Sequence, residues 1–221
     1  MVADVAMPRL PRLVVLISGG GSNLQAFIDA ITAGTLRAVI ACVISNRPLA
    51  HGLQRAEQAG IATCVLEHTD FSSREDYDHA LLAAVQQCQP DLVLLAGFMR
   101  FLTAVFVDPL YGKLINIHPS LLPKYTGLHT HQRAIEAGDS EAGVTVHFVS
   151  PELDSGPAII QARVPVLRQD TADILAARVL AVEHQLYPLV TQWFCEGRLY
   201  CAGDAVYFDD QKLPRHGKTY L

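Results

Sequence analysis

At 221 residues, half of them hydrophobic and 18% charged, the chain has the composition of one ordinary globular domain and not of a disordered segment. A formal net charge of -5 without any dense Lys/Arg run argues against a broad nucleic-acid surface, yet leaves room for a locally positive pocket. The five scattered cysteines (Cys42, Cys64, Cys88, Cys195 and Cys201) form neither a disulfide framework nor a zinc ribbon, and no apolar run approaches the roughly 20 residues that span a bilayer, so a cytoplasmic protein with reduced thiols is expected.

Residues 1–11 hold Asp4 and two prolines, lack an apolar signal core, and read as a mobile leader ahead of one domain over residues 12–221. Leu13 to Ile17 is a continuous apolar run, followed by Ser18-Gly19-Gly20-Gly21-Ser22-Asn23 and a helical stretch to about Ala33. Further strands are predicted over Leu36 to Ile44, Thr63 to Leu66 and Leu92 to Ala96, with helices over Gly52 to Ala59 and Ser73 to Gln87. Ser72 with Glu75 fits a capping box at the start of the second of these helices. Leu114 to Ile117, Val144 to Val149 and Ala158 to Val164 follow as strands, then one long helix over Thr171 to about Glu196 and a hairpin over Leu199 to Phe208. Apolar strands alternating with helices predict a single-domain α/β fold, a mostly parallel twisted sheet with helices on both faces. Ligands of such sheets bind beyond the carboxyl ends of the strands, which directs attention to the segments after Ile17, Leu95 and Ile117.

Three glycines followed by Ser22 and Asn23 set bare N–H groups at a helix N-terminus, where those donors and the helix dipole favour an anion. No Gly-Lys-Ser/Thr follows, and Leu24 stands where a dinucleotide fingerprint needs its last glycine, so the loop is neither of those motifs; a plain strand-to-helix turn is the competing reading. In Asn116-Ile117-His118-Pro119, the period of two aims Asn116 and His118 to one side of a strand end, where an amide donor and an imidazole suit a developing oxyanion. Two polar residues closing a strand is the plainer alternative. Asp154, in a turn by composition, is a carboxylate that would orient His118 if the fold brought it near. His129, His131 and His147 carry no metal-binding spacing, and no metal is expected.

Taken together, Ile17 through Gln25, Ala96-Gly97-Phe98-Met99-Arg100, Asn116 through Pro123, Gly127 through His131, Val146 through Val149 and Gly156-Pro157 make the chain resemble the folate-dependent glycinamide ribonucleotide formyltransferase family from about Leu13 to Pro214. The resemblance implies a Rossmann-like formyltransferase fold and transfer of a formyl group from 10-formyltetrahydrofolate to glycinamide ribonucleotide in purine biosynthesis. It implies that Gly21, Ser22 and Asn23 hold the ribonucleotide phosphate and Glu183 its ribose. Arg74, Met99, Arg100, Phe101, Leu102 and Asn116 would bind the folate, and Asn116, His118 and Asp154 would be catalytic. The sequence departs from the family pattern at Thr126, where proline is common, and at Gly20, where asparagine is usual. The expected partners are the two small-molecule substrates, with no nucleic acid and no membrane, and the chain is expected as a monomer or weak homodimer.

Overall fold

The computed structural model describes residues 9–220. In chain order it contains β1 (Arg12–Ile17), α1 (Ser22–Thr32), β2 (Val39–Ser45), α2 (His51–Gln58), β3 (Thr63–Val65), α3 (Arg74–Gln87), β4 (Leu92–Leu95) and the short α4 (Ala104–Val107). There follow β5 (Leu114–His118), α5 (Thr130–Glu136), β6 (Glu141–Phe148), β7 (Ala158–Pro165), α6 (Ala172–Cys195), β8 (Leu199–Ala202), β9 (Ala205–Phe208), β10 (Gln211–Lys212) and β11 (Lys218–Tyr220). Eight strands form one sheet in the order β11-β7-β6-β5-β4-β1-β2-β3, and β10-β9-β8 form a small second sheet. The pairings β1 with β2 and β4, β2 with β3, β4 with β5 and β7 with β11 are parallel; β6 runs antiparallel to both β5 and β7. The fold is therefore the mostly parallel α/β sheet that the apolar runs predict.

Alternate residues of β1 explain why its whole run is apolar. Leu13, Val15 and Ile17 pack with Leu24 and Phe27 of α1 and Leu175, Val179 and Leu186 of α6, while Val14 and Leu16 face Tyr77, Leu81 and Val85 of α3. Both faces of the strand are dry, so no polar alternation survives in its sequence. Tyr187 reaches from α6 under the sheet and donates from its hydroxyl to the carbonyls of Leu95 and Ile115, at 3.1 and 2.9 Å. The chain leaves β1 in one direction for β2 and β3 and returns on its other side as β4. That reversal opens a crevice between the carboxyl ends of β1 and β4.

Several details depart from the sequence expectation. The cap of α3 is Ser73, whose side chain accepts from the Asp76 N–H, while Ser72 instead donates to the Asp76 carboxylate. β2 starts at Val39 rather than Leu36, because pairing with Arg12 begins there and the Arg37 N–H is taken by the Gln192 side chain. β6 starts at Glu141, ahead of its apolar run, since ladder pairing with Pro165 extends it past Gly143. The α4, α5, β10 and β11 elements are too short to leave a periodic signal. Of the leader expected over residues 1–11, the first eight lie outside the described residues. Arg9 forms a bidentate pair with Asp91, and the Pro11 carbonyl accepts from Val39.

Candidate active site

The glycine loop forms one wall of the crevice. Gly21 caps α1 in a left-handed conformation (φ 70°), which glycine adopts without the penalty of a Cβ. A Cβ on Gly21 would lie 2.6 Å from the Cα of Gly52 in α2, so both positions must be bare for α2 to close on the loop. The Gly52 N–H donates to the Gly19 carbonyl at 3.0 Å and fastens the contact. Behind the loop, Asn23 donates from Nδ2 to Oε2 of Glu183 at 2.8 Å, leaving its own Oδ1 buried without a partner. Burial raises the carboxyl pKa of Glu183, partly offset by that amide. The loop and the segment after β4 are tied together: the Met99 N–H donates to Ser18 Oγ at 2.7 Å, and that hydroxyl donates to Asn46 Oδ1.

The end of β5 forms the floor. Asn116 and His118 project to one side, and the antiparallel register sets His147 of β6 directly opposite Asn116. His147 is fully buried. Its Nδ1 sits 2.9 Å from the Phe148 carbonyl, which can only accept, so Nδ1 carries the proton. The other nitrogen, Nε2, then accepts from Asn116 Nδ2 at 3.2 Å. This fixes which end of the Asn116 amide is NH₂ and leaves its second N–H available. His147, read from the sequence only as a weak metal candidate, thus orients the amide.

The chain after β6 folds back so tightly that a Cβ on Gly156 would collide with the Phe148 carbonyl. That turn holds Asp154 at φ 50° and brings its Oδ2 to 3.5 Å from His118 Nδ1, with both side chains almost fully buried. The same oxygen accepts from the Gly127 N–H at 2.8 Å, and His118 Nε2 donates to the Tyr125 carbonyl at 2.9 Å. Both ring nitrogens of His118 therefore face acceptor oxygens.

Arg100, Phe101, Leu102, Asn116, His147 and Asp154 line one cavity of about 90 Å³. Met99, the residue before Arg100, is exposed, and the Arg74 guanidinium lies 5.1 Å from the Phe101 ring centre. Asp78, which sequence reasoning did not single out, is wholly buried; its Oδ2 accepts from both the N–H and the hydroxyl of Thr103, at 2.6 and 2.7 Å. This fastens the carboxyl end of the 98–103 segment to α3. Its only sequence signal is an acid on the apolar side of a helix.

Burial lowers the His147 pKa from 6.5 to about 4, with the Phe148 carbonyl acting weakly in the other direction. Below about 6.5 the unfolded chain binds a proton here that the folded chain refuses, so stability falls as pH drops towards 4 and is fully present above 6.5. From about pH 7 to about pH 5 this one group is expected to remove about 2 kcal/mol. Urea unfolding at the two pH values checks this: His147→Gln is expected to flatten the dependence, and an unchanged slope would assign it to other groups.

The formyl transferase family model matches residues 11–191. The chain is 53% identical to a phosphoribosylglycinamide formyltransferase of Escherichia coli strain K12, over 93% of this chain and 97% of that protein. It is 45% identical to part of a human trifunctional purine biosynthetic protein, over 84% of this chain and 18% of that one. A solved phosphoribosylglycinamide formyltransferase from Coxiella burnetii superposes with a TM-score of 0.93 at 49% identity, covering 96% of this chain and all of that one. A glycine loop, an Asn-His pair at a strand end and a facing aspartate thus sit in a chain whose matches run through nearly its whole length, and the chain belongs to the formyl transferase family.

Proposed function

We propose that the protein transfers the formyl group of 10-formyltetrahydrofolate to the amine of glycinamide ribonucleotide, giving formylglycinamide ribonucleotide and tetrahydrofolate. The observation that carries this reading is the junction of the two halves of the crevice. Asn116 and Asp154 line the Arg100–Leu102 cavity, Asp154 faces His118, and the Ser18–Met99 hydrogen bond ties the segment that opens the glycine loop to the segment that forms this cavity.

Gly21, Ser22 and Asn23 receive the phosphate at the start of α1, and Glu183 accepts from a ribose hydroxyl. Arg74, Met99, Arg100, Phe101, Leu102 and Asn116 receive the folate. The substrate amine attacks the formyl carbon, forming a C–N bond and moving charge onto the formyl oxygen. The free Asn116 N–H donates to that oxyanion, and protonated His118, whose two N–H groups face Asp154 and Tyr125, stabilises it through its charge, which the Asp154 carboxylate supports. A proton passes from the attacking nitrogen, through water, to N10 of the folate as the original C–N bond breaks. Holding both reactants in one crevice accounts for up to about 7–11 kcal/mol of barrier. No covalent intermediate on the enzyme is needed. The reaction, between two small water-soluble substrates, is placed in the cytoplasm; separately, no helix among the described residues is long and apolar enough to cross a membrane.

Tetrahydrofolate release from 10-formyltetrahydrofolate tests the acceptor. Release is expected only when glycinamide ribonucleotide is present. Release into water alone would make the protein a hydrolase, and release driven by an aminoacylated RNA or an amino sugar nucleotide would replace the acceptor.

A further inference from the structure

Arg55 sits on α2 one helical turn after Gly52, so both face the glycine loop. The bare Gly21–Gly52 contact draws α2 in until Arg55 Cδ lies within 3.5 Å of where a Gly21 Cβ would be. The guanidinium is held in place from the loop side: Nε donates to the Gly20 carbonyl at 2.9 Å and Nη1 to Gln25 Oε1 at 3.1 Å. Neither partner is charged, and Arg55 takes part in none of the ion pairs among the described residues. Asp29, which lines the same cavity, accepts from the Gln25 amide instead. Arg55, Ser22, Gln25 and His184 line a cavity of about 680 Å³ that opens beside the first turn of α1.

An oriented, uncompensated guanidinium next to an anion loop asks for an anion. The charge balance of the substrate asks for the same thing. A phosphomonoester carries about −1.5 to −2 at neutral pH, whereas a helix N-terminus offers about +0.5. Glu183, bonded to Asn23 of the same loop, is a further negative group if ionised. Backbone donors alone leave this site short of positive charge.

We infer that Arg55 is the charged ligand of the substrate phosphate, reaching it with the guanidinium N–H groups not used on Gly20 and Gln25. The inference rests on the ribonucleotide reading above and adds to it the residue that selects a phosphorylated acceptor over its dephosphorylated form. Arginine suits the role because two of its donors can be spent on positioning while others remain for the anion.

The test compares the unmodified enzyme with Arg55→Gln and Arg55→Lys on two acceptors, glycinamide ribonucleotide and the same compound lacking its phosphate. Arg55→Gln is expected to raise the KM for the nucleotide about 10- to 100-fold, with kcat and the KM for formyl-folate within about threefold. Arg55→Lys should recover part of the loss. On the dephosphorylated acceptor kcat/KM should not change, because the lost contact is to the phosphate alone. An equal loss on both acceptors would show that Arg55 only shapes the loop, and no loss on either would remove it from the site. Calorimetry with inorganic phosphate separates this from the acceptor assignment. Phosphate binding weakened in Arg55→Gln supports the contact even if glycinamide ribonucleotide proves not to be the acceptor, and equal binding overturns it.

Discussion

Replacing His118 with alanine is expected to lower kcat by about 10²–10³-fold while the KM values of both substrates stay within about threefold. The imidazole is almost fully buried between the Asp154 carboxylate and the Tyr125 carbonyl, so its removal subtracts charge where the oxyanion forms and little from the walls that bind the substrates. Asp154→Asn keeps shape and volume but loses the negative charge facing Nδ1, and kcat should fall by a similar factor. The paired variant should be little worse than either single one, because the two groups act as one unit. Steady-state kinetics on the three variants decides this. A large rise in the nucleotide KM at unchanged kcat would move His118 from chemistry to binding.

Gly21→Val is expected to do the reverse. A branched side chain at φ 70° would be strained by about 1–2 kcal/mol, and its Cβ would stand 2.6 Å from the Cα of Gly52. Overpacking of this kind adds typically 1–3 kcal/mol. The loop must open to relieve it, which turns the N–H groups of Ser22 and Asn23 away from a common point. The nucleotide KM should rise on the order of 10²-fold, at 1.4 kcal/mol per factor of ten, with the formyl-folate KM nearly unchanged. Equal KM values in variant and parent would show that the loop does not hold the nucleotide.

The legible part of this molecule is the part governed by local periodicity. β1 and β4 announce themselves because both faces of the sheet are buried, which makes Leu13–Ile17 and Leu92–Leu95 unbroken apolar runs. The glycine loop and Asn116-Ile117-His118 are equally visible, since their geometry arises within a few residues. Asp154 is different: its approach to His118 depends on the fold-back at Gly156 and on the antiparallel register of β6, neither of which has a local signature. His147 was visible as a histidine but not as the partner of Asn116, a pairing that only cross-strand register creates. Asp78 and Arg55 act through contacts between elements distant in sequence, with Thr103 and with Gly20, and sequence pattern carries no information about either. The antiparallel insertion of β6, followed much later by the parallel strand β11, is likewise set by the sheet and not by the composition of those strands.

The most direct test of the central claim is to supply 10-formyltetrahydrofolate carrying carbon-13 in its formyl group, together with glycinamide ribonucleotide, and to follow the label by NMR with unmodified protein and with His118→Ala. The account predicts that the label moves from the folate N10 to the nucleotide amine, one for one with tetrahydrofolate released, and that the variant slows this by about 10²–10³-fold. Label appearing as free formate, or transfer at equal rates in both proteins, would contradict it.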